Sequence, residues 1–365
     1  MSRSFPTPFA AAGVAIAIIA ILLASYCVAK TPDGVFGERI VADATLDAGD
    51  REEVAFTLAE GANAGDIGGQ LETLGIIRSA RQFELLAGLM GVQSELSAGD
   101  FLLKKNSSVL TVLNQLTARG AVVELISVTF PEGLRYEEMA ELAEEAGFGT
   151  QQEFLDAVAN AELPPALADT LPEGADLQGY LFPATYPMPV GSTMQDLVEY
   201  MIETLNLNFT AELREAGEAR GLNPHQMLTL ASIIEREAVV AEERALMAGV
   251  FYNRLAEGDR LGADPTVQFA AALDPASVNE YGWWKRELTI LDLENPSPYN
   301  TRLLPGLPPG PIANPGLASI EAVAYPEETD FYYFVADAVA GDGRHRFAVT
   351  FAEHEQNIAQ YGSAE

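Results

Sequence analysis

The chain is poor in the residues that most often carry catalysis. It has one cysteine, Cys27, so it forms no internal disulfide and no cysteine-based metal centre. Its 3 histidines, His225, His345 and His354, fall in no HExxH arrangement, which argues against a zinc hydrolase. No G-x-S-x-G elbow is present, which argues against a serine hydrolase of that class. Basic residues are scarce, 21 against 53 acidic, and the net charge of -32 repels nucleic acid, so no nucleic-acid partner is expected. What remains is abundant. Apolar residues make up 48% of 365 positions, enough for a folded protein of two globular domains.

The longest uncharged run, Phe9 to Ala29, is expected to cross a bilayer as an uncleaved anchor, residues 1–30. Arg3 and the amino terminus precede it and an acidic body follows. That bias places the N-terminus in the cytoplasm and the body outside, as a single-pass cell-membrane protein. Leu23 to Cys27 is loosely similar to a lipoprotein site, but Tyr26 is too large beside the cysteine. Residues 31–50, rich in Gly, Asp and Ala, read as a linker.

Residues 51–122 read as a small module. A strand at Val54–Leu58, a helix at Asn63–Leu74, a second helix at Arg81–Met90 and a strand at Phe101–Leu103 give the order β-α-α-β. A helix at Ser108–Leu116 and a strand at Val122–Phe130 lead onward. From these residues alone, a spacer and a binding unit are equally open. Residues 123–365 form a larger, more helical part, so the fold class is α+β. The aromatic loop Leu177–Pro187 includes Tyr180 and suits either a packed loop core or stacking against sugars. Residues 295–316 hold 7 prolines and read as a rigid loop over a cleft, with Tyr299, Asn300 and Thr301 as hydrogen-bonding members. Asp264 before Pro265 reads as the cap of a helix over Thr266–Leu273. Phe331–Val335 and His345–Thr350 read as a hairpin turned at Gly341–Gly343.

The most informative stretch runs from Asn223 to Thr266. Asn223-Pro224 is a strong helix start, and Met227, Leu230, Ala231, Ile234, Ala238 and Ala241 follow as one apolar stripe. Glu235 and Glu237 interrupt it. At helical spacing Glu237 is flanked by Ile233, Ile234, Val240 and Ala241, and Glu235 by the smaller Ala231, Ser232, Ala238 and Val239. A carboxyl among branched apolar side chains loses hydration, and its pKa rises into the range of a usable general acid. Periodicity alone also permits both glutamates on the solvent edge. A second helix, Glu243–Ala256, presents Asn253 and Arg254.

Glu235-Arg236-Glu237, VFYNRL at Val250–Leu255, ADPTV at Ala263–Val267, SPYNT at Ser297–Thr301 and GLPPGPIANPG at Gly306–Gly316 resemble the signature blocks of the MltG (YceG-like) endolytic murein transglycosylases. YYFVAD and GRHRFAVTFAEH near the end match as well. The resemblance covers nearly the whole chain and implies an anchor, a LysM-like module and a catalytic domain. It puts the catalytic acid on the second glutamate, Glu237, and gives Asn253, Asp264, Tyr299, Asn300 and Tyr180 substrate-binding or orienting roles. Relatives usually read LEGYLFPDTY where Gln178 and Ala184 stand here without charge.

The implied reaction cleaves the MurNAc-β-1,4-GlcNAc bond of nascent peptidoglycan strands without water. One carboxyl suffices, because the nucleophile is the C6 hydroxyl of the same MurNAc. No cofactor and no metal is implied. The implied partners are glycan strands, the membrane, and wall-synthesis proteins such as penicillin-binding proteins. The alternative is an inert, membrane-anchored peptidoglycan-binding scaffold.

Overall fold

Strand β1 (Glu53–Leu58) pairs antiparallel with β2 (Gly99–Lys104), setting Phe56 opposite Phe101. Between them run α1 (Ala64–Thr73) and α2 (Ala80–Leu89), so the β-α-α-β order read from the sequence is the order observed. Asn63 and Ser79 cap the two helices through their side chains, as their residue types favour. Helix α3 (Val109–Leu116) buries Val109, Val112, Leu113 and Leu116, a clean i, i+3, i+4, i+7 stripe. The computed structural model describes residues 53–59, 61–117 and 125–362, which fall within one compact unit, Val41–Glu365. The expected anchor and linker lie outside the described residues. Among the described residues no helix is long and apolar enough to cross a membrane.

The remaining elements follow in order: β3 (Leu125–Thr129), α4 (Tyr136–Glu145), α5 (Gln151–Asn160), the short α6 (Pro165–Ala168), β4 (Thr185–Pro189), α7 (Met194–Asn208), α8 (Ala211–Glu218), α9 (Pro224–Glu237), α10 (Arg244–Ala256), α11 (Asp264–Ala271), α12 (Pro275–Tyr281), α13 (Ile290–Leu293), α14 (Leu317–Ala324), β5 (Tyr333–Ala336), β6 (His345–Ala348) and α15 (Phe351–Tyr361). The described residues are therefore mixed α+β, with helices dominant and each sheet among them a two-stranded antiparallel pair. The small first part is tied to α7: Ser79 donates to Glu203 at 2.8 Å and Arg78 donates to the Leu207 carbonyl at 2.9 Å.

Helix α9 is the axis of the larger part. Met227, Leu228, Leu230, Ala231, Ile233 and Ile234 are wholly buried, and α14, α10, α8 and α11 pack around it. Asn223 and Gln226 form a capping box at its start, with Pro224 at the first helical position. Its end is at Glu237, because Ala238 turns extended (ψ 113°). The apolar stripe therefore stops before Ala238 and Ala241, which lie beyond the helix.

Three expectations change in the structure. The aromatic loop ends in a strand, β4, despite Pro187 and Pro189. The ladder has two strands only, so a position without an N–H loses nothing on its unpaired side. The proline-rich segment is not wholly a surface loop: residues 310–316 are buried. There Asn314 donates to the Leu134 carbonyl and accepts from the Leu181 N–H, while the Ile312 N–H donates to Ser232. Asp264 is not a cap. Ala263 holds the cap position and Asp264 is the first helical residue, leaving its carboxylate free for other partners.

Candidate active site

Glu237 is the last residue of α9, so it stands at the end of a buried helix and as a residue is half-buried. Burial pushes its pKa up to about 7, and the nearby Asp264 carboxylate pushes the same way. Arg302, the Asp264 backbone N–H and Arg254 oppose them. The negative end of the α9 dipole also disfavours the charged form. The raised pKa expected from the sequence is thus present, but Val240 and Ala241 are not its helical neighbours. The acid faces the start of α11 instead.

Three elements fix that surround. Asp264 pairs with the Arg302 guanidinium. Arg302 is placed by Asn300, whose Oδ1 accepts the Arg302 N–H at 3.0 Å while its Nδ2 donates to the Leu293 and Asn295 carbonyls. Thr301 and Thr266 hydrogen-bond at 2.8 Å and hold the Pro loop against α11 beside Asp264. Arg254 of α10 donates to the carbonyls of Tyr332 and Leu261 and lies 5.0 Å over the Tyr333 ring.

The two glutamates divide sharply. Glu235 is buried on the other side of the helix end, where it accepts from the Gly316 N–H at 3.0 Å and pairs with Arg244 at 3.4 Å. Glu132 joins this group. It retains solvent contact, yet desolvation and the charge of Glu235 raise its pKa against the pull of Arg244. Its carboxyl lies so close over Gly316 that a Cβ there would meet Oε1 at 1.8 Å. Glu235 thus faces neither solvent nor Glu237's surround.

The other expected site residues scatter. Asp264 stands beside Glu237, and Asn300 acts on that surround through Arg302. Asn253 uses its amide on the Thr329 and Phe331 carbonyls, at 2.8 and 2.9 Å, and so anchors the approach to β5. Tyr180 is fully buried and hydrogen-bonds His225 Nδ1 at 2.9 Å; His225 Nε2 lies 2.9 Å from the Pro309 carbonyl. Tyr299 packs its ring 4.6 Å from Phe269. Gln178 takes the Tyr136 N–H at the start of α4, and the Ala184 carbonyl takes the Phe130 N–H. A hollow of about 390 Å³ lined by Asn223, His225, Thr229 and Leu307 lies toward the opposite end of α9 from Glu237. Among the described residues no three His, Cys, Asp or Glu gather as metal ligands.

Sequence reasoning singled out neither Arg302 nor Trp283 and Trp284. Arg302 directly follows SPYNT, and its position there was the available signal. The charges around Glu237 make a direct prediction. Asp264→Asn removes a carboxylate that raises the acid, so the alkaline limb of the rate profile moves to lower pH. Arg302→Met removes a cation that lowers it, so the limb moves to higher pH. Rate profiles of both variants against pH check the two signs.

The sequence profile of the YceG-like family matches residues 56–360. An endolytic murein transglycosylase of Bacillus subtilis (strain 168) is 32% identical over 323 residues, covering 85% of this chain and 85% of that protein. One of Streptococcus pneumoniae serotype 2 (strain D39 / NCTC 7466) is 30% identical over 352 residues, covering 90% of this chain but only 62% of that longer protein. Among solved structures, a YceG-like protein of Listeria monocytogenes superposes with a TM-score of 0.54 at 29% identity, covering 84% of this chain and 99% of that one. The chain belongs to the YceG-like family.

Proposed function

We propose that this protein is a membrane-anchored lytic transglycosylase of peptidoglycan, with Glu237 as its single acid and base. The observation that carries the reading is one half-buried glutamate at the end of a buried helix, its carboxyl pKa raised by burial to about 7. A protonated Glu237 donates its proton to the glycosidic oxygen as the MurNAc–GlcNAc bond breaks. The resulting carboxylate takes the proton of the MurNAc C6 hydroxyl as that oxygen closes on C1, giving a 1,6-anhydro ring. Atoms balance without water. The nucleophile is part of the substrate, and its proximity is worth several kcal/mol, about 7–11 in well-oriented intramolecular cases.

Electrostatics support the same cycle. Arg302 and Arg254 lower the acid's pKa and so stabilise the carboxylate that appears after proton donation, while Asp264 and burial keep the resting group protonated. Asp264 and Asn300 orient this group, directly and through Arg302; Asn253, Tyr299 and Tyr180 hold the elements around it. The β-α-α-β part is proposed as a LysM-like glycan-holding module.

The rival reading is an inert scaffold. Purified peptidoglycan sacculi incubated with the protein in the presence of a chelator distinguish the two. Release of soluble muropeptides, abolished in Glu237→Gln, is expected; sacculi bound but left intact would make the protein a scaffold. The anchor is tested separately by sequencing the mature N-terminus. Retention of the apolar run through Ala29 is expected, and a terminus near residue 30 would remove the anchor from the proposal.

A further inference from the structure

The segment between α12 and α13 carries Trp283 and Trp284, the only 2 tryptophans in the chain. Both rings are part-exposed, although large aromatic rings on loops usually bury what they can. Both are held at one edge. Trp284 Nε1 donates to Glu138 at 2.9 Å and Trp283 Nε1 donates to Glu141 at 3.3 Å, so two carboxylates one turn apart on α4 fix adjacent indoles. Each ring also carries a guanidinium: Arg236 lies 3.9 Å from the Trp284 centroid and Arg135 lies 4.7 Å from that of Trp283. Arg236 is further tied to the Gly133 carbonyl. These rings cannot turn freely, and Tyr281, at the end of α12, adds a third aromatic at 48% exposure.

The location matters as much as the rigidity. Arg236 is the residue before Glu237, but its guanidinium lies toward Glu138, Glu235 and Gly133, so Trp284 stands on the Glu235 side of the same helix end. A rigid, part-exposed aromatic surface with charged groups at its edge suits the apolar C–H face of a pyranose, whose hydroxyls point outward to polar neighbours. From this the geometry points to a second binding site: Trp283 and Trp284 form a stacking platform for a sugar ring of the glycan, at the helix end that carries the acid but on its Glu235 side. The inference rests on the glycan reading of Glu237 but makes a separate claim about which surface carries affinity.

The platform is also its own reporter, because indole fluorescence in this protein comes from these two residues alone. The experiment uses the full-length Glu237→Gln protein, which holds glycan without turnover, titrated with a stem-free GlcNAc–MurNAc tetrasaccharide. A saturable change in tryptophan emission is expected, with the same Kd as calorimetry gives. Trp284→Leu in the otherwise native enzyme is expected to raise KM about tenfold, with kcat within about twofold and the melting temperature little changed. Calorimetric binding with silent fluorescence would overturn the platform, as would an unchanged KM in folded Trp284→Leu. Absence of any tetrasaccharide binding by calorimetry also overturns it. Digestion of sacculi by the native protein keeps the two claims apart: digestion with silent tryptophans leaves the lyase standing without the platform. A fluorescence response from a protein that cannot digest leaves the platform standing without the lyase.

Discussion

Glu237→Gln is expected to lower the rate of glycan cleavage by roughly 10²–10⁴-fold, the range typical of a lost general acid–base. The amide keeps the shape and can still accept the Asp264 N–H, but it has no acidic proton to give. Folding should not suffer. In the native state the acid's pKa is about 7 against an ordinary 4.5, so the folded form holds a proton that the unfolded chain has released. Stability contributed by that proton is full below pH 4.5 and is lost as pH rises toward 7. The amide variant escapes this loss, so at pH 8 it should be more stable than the wild type by about 3 kcal/mol at most, and equal near pH 4. Glu235→Gln should behave in the opposite way. It still accepts the Gly316 N–H but weakens the pairing with Arg244, so it should lose on the order of 1 kcal/mol of stability and little rate. Turnover of both variants on one substrate, with thermal melts at the two pH values, checks all four outcomes. A folded, inactive Glu235→Gln beside an active Glu237→Gln would assign the chemistry to Glu235 instead.

Gly179→Ala should be a strongly damaging small substitution. Gly179 has a φ of +87°, where a side chain is strained, and a Cβ there would meet the Pro311 ring carbons at 2.4 and 2.5 Å. The proline ring cannot swing aside, since its neighbours are held: Ile312 by Ser232 and Asn314 by Leu134 and Leu181. The next residue along is Tyr180, whose bond to His225 holds the start of α9. A loss of about 3 kcal/mol or more is expected from strain and overpacking together. Chemical denaturation measures it. Gly61→Ala, also at positive φ (+78°) but with open space around it, is the comparison, and should lose no more than about 1–2 kcal/mol. Equal losses in the two would show that backbone strain alone, and not Pro311, sets the effect.

Much of this arrangement was legible in the sequence because the signals were local. The Asn223-Pro224 start of α9 depends on cap chemistry within four residues, and the hairpin turned at Gly341–Gly343 on turn chemistry. The β-α-α-β order came from alternation and caps in the same way. The raised pKa of Glu237 is expected from its apolar neighbours, and it is present in the structure for a partly different reason. Helix α9 ends at Glu237, four residues short of the Ala241 that argument needed, and the Asp264 carboxylate acts on the acid from across the fold. That contact joins positions far apart in sequence, so periodicity could not show it. The burial of residues 310–316 was hidden for the same reason: proline content marks a segment as rigid but not as inside or outside. The resemblance gives Asn253 and Tyr180 substrate-binding or orienting roles, and only the tertiary partners show them holding Phe331 and His225. Trp283 and Trp284 were passed over because nothing local distinguishes a pinned, part-exposed indole from a core one.

The central claim is that Glu237 directs the glycan's own C6 hydroxyl, not water, onto the cleaved carbon. Digestion of purified peptidoglycan in water enriched in heavy oxygen, followed by mass spectrometry of the new ends, tests it most directly. The account predicts MurNAc ends that lack one water relative to reducing ends and carry no label. Reducing MurNAc ends bearing the heavy oxygen would contradict it and make the protein a hydrolase.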